Sequence, residues 1–237
     1  MSGAPRRPLL LLFDIDGTLV RRAGAAHRRA IEIALAEVHG VEGADVSRAE
    51  PAGRTDLEIV RRLALAHGVP ADRIDERMDD VREAACETYA RTAEEDLSAS
   101  VLPGVFELLA DLRRRDDVRL ALLTGNFEPI ARLKLARAGI GGFFSPWAGG
   151  FGSDAEDRAE LPALARARAG GADGPWPRRR ALVIGDTPRD IACARADGIG
   201  VICAATGPYS SADLAGADAV AVSASGLAPL IDARAAG

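Results

Sequence analysis

Leu9-Leu10-Leu11-Leu12-Phe13-Asp14-Ile15-Asp16-Gly17-Thr18-Leu19-Val20 is the stretch whose reading decides the fold. An unbroken apolar run enters two carboxylates spaced one apart, and a glycine and a threonine follow. Such a run, ending in turn-forming residues, reads as a strand buried on both faces, and strands of that kind belong mostly to parallel sheets. Asp14 and Asp16 then stand just past its carboxyl end, where open α/β sheets bind their ligands. Two carboxylates that close repel each other unless a cation or a shared proton intervenes, and hard oxygen ligands favour magnesium.

Beyond Val20 the pattern turns helical for about eighty residues. Ile31, Ala34, Leu35 and Val38 repeat at helical spacing before Gly40. Thr55-Asp56-Leu57-Glu58 is a capping box for a second helix to about Ala66, and Pro70 opens a third to about Glu95. From Val105 onward strands and helices alternate. Val118 to Leu123 and Ala181 to Ile184 read as buried strands, with later strands at Gly200 to Ala204 and Ala217 to Val222. Helices start near Pro103, Pro129, Arg158 and Thr187, and Phe143 to Phe151 holds at most a short strand. The expectation is α/β: a doubly wound, Rossmann-like parallel sheet built from 1–20 and 101–237, with an all-helical insert over 21–100.

The other strand ends carry complementary chemistry. One closes on Thr124-Gly125-Asn126, the other on Gly185-Asp186-Thr187-Pro188-Arg189-Asp190. Loop amides such as those of Gly125 and Asn126 suit an anion. Thr187 with Asp190 also reads as a helix capping box.

Asp14-Ile15-Asp16-Gly17-Thr18-Leu19 matches DxDGT[LV], Thr124-Gly125 a second motif, and GDxxxD at Gly185 to Asp190 a fourth. Together they resemble the haloacid dehalogenase superfamily, in its phosphoglycolate phosphatase-like and beta-phosphoglucomutase-like branch with a helical cap. The resemblance implies a phosphomonoester hydrolase acting on a small phosphorylated metabolite through an aspartyl-phosphate. Asp14 would be the nucleophile and Asp16 the general acid and base. Magnesium would be held by Asp14, the backbone carbonyl of Asp16 and Asp186, with Asp190 supporting. Thr124, Gly125 and Asn126 would hold the phosphate. Arg54, in a cap turn, would reach the far end of the substrate, with Arg21, Arg22 and His27 as weaker candidates.

The third motif of that family is a lysine. The single lysine here, Lys134, lies ten residues past Thr124 and is expected to be a solvated surface group. Arg158 fits the third position by spacing and keeps the positive charge with a different geometry. A phosphomutase of the same superfamily, or a non-catalytic phospholigand-binding relative, are the alternative readings. The absence of a lysine from 21–100 argues against Schiff-base phosphonatase chemistry, and Asp16 argues against a dehalogenase.

Composition bounds the partners. The 237 residues carry 30 basic and 35 acidic side chains, a net charge of -5, so no basic field invites nucleic acid. Cys86, Cys193 and Cys203 are scattered, as expected of reduced core residues in a cytoplasmic protein. Arg6-Arg7 before Leu9 only faintly imitates a signal peptide, and no run reaches membrane length. Monomer and homodimer both remain open.

Overall fold

The computed structural model describes residues 7–146 and 148–236, so Arg6 and the remainder of the first six positions, position 147 and the final residue lie outside it. Six parallel strands form one sheet: β1 (Leu9–Phe13), β2 (Val118–Thr124), β3 (Gly149–Phe151), β4 (Ala181–Gly185), β5 (Gly200–Ala204) and β6 (Ala219–Ala221). Their order is β3-β2-β1-β4-β5-β6, the doubly wound order whose reversal point lies beside the first strand. All of β1 is buried. Leu9, Leu11 and Phe13 enter one apolar cluster and Leu10 and Leu12 another, as a strand covered on both faces requires.

Register places the strand ends together. Phe13 pairs with Leu122 on one side and Ile184 on the other. The chain leaves β1, β2 and β4 at nearly the same level, with Asp14, Thr124 and Asp186 at neighbouring exits.

Between β1 and β2 run α1 (Gly24–His39), α2 (Asp56–Ala66) and α3 (Ala71–Thr92). Their apolar faces form a third cluster, joined by Phe127 and Ile130 of the core. Gly40 ends α1 in the left-handed conformation, and Thr55 caps α2 by accepting from the Glu58 amide. The Glu58 side chain does not return the bond; it pairs with Arg54 and Arg62.

The remaining helices are α4 (Val105–Arg113), α5 (Glu128–Arg137), α6 (Leu161–Gly170), α7 (Pro188–Asp197) and α8 (Leu227–Ala236). The segment from Arg158 begins as a 3-10 turn, and α8 has no counterpart in the sequence reading; it closes over the sheet through Leu227 and Ile231. Among the described residues no helix is long and apolar enough to cross a membrane. Cys193 and Cys203 are buried and Cys86 is half-buried, all as free thiols.

Candidate active site

The turn after β1 is built on the Ile15 carbonyl, which accepts from the amides of Thr18, Leu19 and Val20. Gly17 makes that turn possible: its φ is +90°, and a Cβ there would strike the Asp186 carboxylate. The Asp14 amide donates to Ile184 at 2.9 Å, fixing the first carboxylate beside the end of β4.

Asp14, Asp186 and Asp190 are buried and offer oxygens that all lie within 4.8 Å of one another. Asp186 accepts through Oδ1 from the Thr18 hydroxyl at 3.1 Å, whereas its Oδ2 is buried with no hydrogen-bond partner. A Cβ on Gly17 or Gly207 would overlap that oxygen, so the carboxylate lies there only because both positions are glycine. Burial pushes the Asp14 carboxyl up; Arg158 opposes this, and Asp190 and Asp16 add to it. Asp186 is pushed up likewise, by burial and then by Asp14 and Asp190. Buried acids that crowd one another and an orphaned oxygen suit a hard divalent cation.

Asp190 is already engaged. Its Oδ2 accepts from the Thr187 amide at 2.9 Å, the Thr187 hydroxyl at 2.8 Å and the Asp186 amide at 3.2 Å. The capping box and the metal role are therefore compatible readings of one residue: it shapes the turn that carries Asp186 while lending charge.

Asp16 faces a different set of partners. Lys134 Nζ lies 2.8 and 2.7 Å from its two carboxylate oxygens and 2.7 Å from Asn126 Oδ1, while Asn126 Nδ2 donates to Asp16 at 2.9 Å. Lys134 is 0 % exposed. The expectation of a solvated lysine is thus corrected: α5 begins just beyond Asn126, so two turns of helix carry Lys134 inward behind the loop. An ammonium has three donors and no acceptor, and here each donor meets an oxygen. Burial pushes the Asp16 carboxyl up, but Lys134 and then His27 outweigh it and hold the group below the usual carboxylate range. The Asp16 side chain, so held, stands outside the Asp14, Asp186, Asp190 group.

Arg158 is 5 % exposed, lies 3.3 Å from Asp14 and pairs with Asp190. Its Nε is buried without a hydrogen-bond partner. The two carboxylates of the first motif therefore have separate cations, arginine for Asp14 and lysine for Asp16.

The helical insert seats directly on the loop after β2. The Asp56 amide donates to the Gly125 carbonyl at 2.7 Å, and the Asp56 carboxylate accepts from the Phe127 amide at 2.6 Å and contacts His27 Nε2 at 2.9 Å. The Thr55 hydroxyl donates to the Glu156 carbonyl at 2.5 Å. Side chains at Gly125 or Gly152 would run into the backbone of Arg54 and of Gly125 respectively, so only glycine permits this approach.

A cavity of about 750 Å³ remains between insert and core. Asp14, Asp16, Gly125, Asn126, Arg158 and Asp186 line it. Thr124 and Asp190 do not: Thr124 is buried, and its hydroxyl accepts from the Asn126 amide at 3.3 Å. Arg54 reaches the wall, but its guanidinium is already shared between Glu50, Glu58 and the Ala49 carbonyl. Its place fits the sequence reading; a free charge to offer does not. Lys134 is the residue that sequence reasoning misplaced, whereas Asp56 lies in the cap turn 53–56 that the sequence reading set opposite the catalytic aspartates. The signal for Lys134 was its solitude in a chain whose other lysine-or-arginine residues are all arginine; for Asp56 the cap turn was a signal of place, not of its bonds to Phe127 and His27.

The family described as haloacid dehalogenase-like hydrolase matches residues 11–195. A phosphoglycolate phosphatase from Rhodospirillum rubrum is 32% identical over 220 residues, 91% of this chain and 86% of the relative. A tyrosine-protein kinase, PtkA, from Mycobacterium tuberculosis is 31% identical over 216 residues, 90% of this chain and 67% of the relative. Among solved structures, a beta-phosphoglucomutase from Clostridium difficile superposes with a TM-score of 0.73 at 18% identity, covering 98% of each chain, and so shares the fold. With its motifs on adjacent strand ends and its sequence matched over most of its length, the chain belongs to the haloacid dehalogenase-like hydrolase family.

Proposed function

We propose that this chain is a magnesium-dependent phosphatase that hydrolyses a small phosphorylated metabolite through an aspartyl-phosphate on Asp14. The observation that carries the reading is the buried Asp14–Asp186 pair, opening with Asp16 onto one cavity beside Gly125 and Asn126. Relatives named phosphoglycolate phosphatase support a phosphomonoester as substrate.

The Asp14 carboxylate attacks phosphorus; the new O–P bond forms as the bond to the ester oxygen breaks, and Asp16, which takes up a proton when the substrate's negative charge offsets the hold of Lys134 and His27, gives that oxygen its proton. Water then gives a proton to Asp16 as its oxygen attacks phosphorus, releasing phosphate and restoring Asp14. Lys134 and Asn126 aim the Asp16 carboxylate through both exchanges. Amides of Gly125 and Asn126, with the spare Arg158 Nε–H, receive the phosphoryl oxygens. Asp14, Asp186 and the Asp16 carbonyl, backed by Asp190, would hold magnesium, which offsets negative charge as one anion approaches another. Residues 21–100 act as a cap over a core of 1–20 and 101–237, excluding water when seated.

Phosphate release from a panel of phosphorylated metabolites and p-nitrophenyl phosphate, with magnesium or with chelator, tests this. Release that needs magnesium and vanishes in Asp14→Asn is expected. A protein that frees no phosphate from any ester, or that moves it only onto a sugar hydroxyl or a peptide tyrosine, sinks the hydrolase reading.

A further inference from the structure

Helix α5 follows the second strand in sequence, yet one of its faces belongs to the insert. Ala131, Leu135 and Ala138 pack into the apolar cluster under the sheet. Phe127, just before the helix, and Ile130 instead enter the cluster of the insert, among Ile31, Val60 and Tyr89. Phe127, Ile130, Lys134 and Arg137 recur at the spacing of one helical stripe, so the buried lysine shares its stripe with residues that hold the insert. Lys134 therefore sits between two contacts to the insert, an apolar one before it and a polar one after it.

Arg137 makes the polar contact. Its Nη1 donates to the Ala93 carbonyl and its Nη2 to the Ala90 carbonyl, each at 2.9 Å. Those carbonyls lie at the end of α3, which stops at Ala93 in extended backbone, without a left-handed glycine of the kind that ends α1 at Gly40. Helix-terminal carbonyls lack partners within the helix and carry partial negative charge, so a guanidinium that meets two of them takes the place of a cap. In return, the Leu97 amide donates to the Arg137 carbonyl at 2.9 Å. The same end of α3 holds Tyr89 against His27, ring centroids 5.9 Å apart, with the tyrosine hydroxyl buried and without a hydrogen-bond partner among the described residues. Burial and then Asp16 push that hydroxyl up to about 12, with Arg137 opposing, so the end of α3 lies within electrostatic reach of both the acid and the arginine.

We propose that Arg137 is a positioning residue for the general acid: by clamping the end of α3 onto α5 it keeps the stripe sealed, so that Lys134 is held under Asp16 only while the insert is seated. This rests on the phosphatase reading and adds what governs its proton transfer. A buried ammonium is tolerated only where its charge is paired and its donors are met. Once the stripe opens, water competes for the ammonium and weakens its attraction to Asp16. The carboxylate then loses the aim that Lys134 and Asn126 give it. Helix α5 thus carries the position of the insert to the acid.

The single lysine of the chain supplies a readout that needs no turnover. Acetylation of wild type and Arg137→Ala with an N-hydroxysuccinimide ester, resolved by peptide mass spectrometry, follows Lys134. Alkylation of Cys193 and Cys203, both buried against the other face of the sheet, follows global opening. In Arg137→Ala, Lys134 is expected to react at least about tenfold faster with the two thiols unchanged, as a local opening requires. Kinetics complete the test with p-nitrophenyl, phenyl and benzyl phosphate, whose leaving groups need increasing help from an acid. A misaimed acid should cost kcat/KM about tenfold more on benzyl than on p-nitrophenyl phosphate, since general acid catalysis supplies about 10²–10⁴-fold where the leaving group demands it. Arg137→Lys, able to meet one carbonyl but not two, should fall between. Ile130→Val, a smaller loss on the same stripe, should also speed the labelling of Lys134, and it decides the matter if the alanine variant does not fold. Labelling that is unchanged, or that rises only together with both thiols, overturns the clamp; an equal loss on all three esters overturns its part in proton transfer. A wild type that hydrolyses none of the esters sinks the phosphatase reading, and labelling alone then decides whether Arg137 holds Lys134.

Discussion

The Lys134 ammonium meets both carboxylate oxygens of Asp16, 118 residues away in sequence, and no solvent reaches the lysine. Its three donors are spent on Asp16 and Asn126, so it fixes where the acid and base of the proposed reaction points. Lys134→Met is expected to lower kcat for p-nitrophenyl phosphate on the order of 10²-fold. Lys134→Arg should not restore it, because a planar fork cannot donate in those three directions. Turnover at the wild-type rate in either variant would leave Lys134 a packing role only.

Arg158 lies between two buried carboxylates, Asp14 and Asp190. Removing the cation leaves both acids uncompensated, which for buried pairs costs about 3–5 kcal/mol. Urea denaturation of Arg158→Ala should show a loss of that size, and steady-state assays a fall in turnover on the order of 10²-fold. A variant as stable and as fast as the wild type contradicts both roles.

Magnesium should raise the melting temperature, and more so at pH 8 than at pH 6. Asp14 and Asp186 are both pushed above their ordinary value of 3.8 by burial, with Asp190 and Asp16 adding to it at Asp14, and Asp14 and Asp190 at Asp186. With a folded pKa above the unfolded one, their contribution is fully present below the unfolded value and is lost as pH rises toward the folded one. The metal-free protein therefore weakens toward neutral pH, and a cation competing with those protons binds better there. At a hundredfold excess over Kd the gain is about 2.7 kcal/mol, or roughly 5–10 °C at this chain length. Differential scanning calorimetry checks it, and Asp186→Asn should abolish the shift. A shift that grows toward acid pH would contradict it.

Seating of the insert depends on a missing side chain. A Cβ at Gly125 would collide with the Arg54 carbonyl, which is backbone and cannot rotate away. Gly125→Ala is expected to keep the fold, since sheet and insert have separate apolar clusters, yet to reduce kcat/KM on the order of 10²-fold for every ester. Circular dichroism with steady-state kinetics distinguishes this from unfolding; full activity would mean that the seat is dispensable.

Sequence by itself determined the sheet, the insert and the acids. A strand covered on both faces must be apolar throughout, so Leu9 to Phe13 is visible as a run. The turn residues after β1, β2 and β4 are visible because glycine, aspartate and threonine are the chemistry of strand exits and helix caps. Those signals are local, spanning a few residues each. Spacing along the chain also pointed to Arg158, and packing buries it between Asp14 and Asp190.

What only the tertiary structure decided are relations between distant segments. Lys134 looks like any residue of a charged helix until α5 is laid against the loop after β2, which turns the lysine under Asp16. Asp56 looks like an acid in a helix first turn until the insert is seated and it accepts from Phe127. Arg54 has its glutamates within one helical turn, but the strength of that pairing depends on how the turn is folded. Hydrophobic periodicity reports which face is covered, not what covers it. The partner of each buried charge is therefore set by how the insert and the sheet meet.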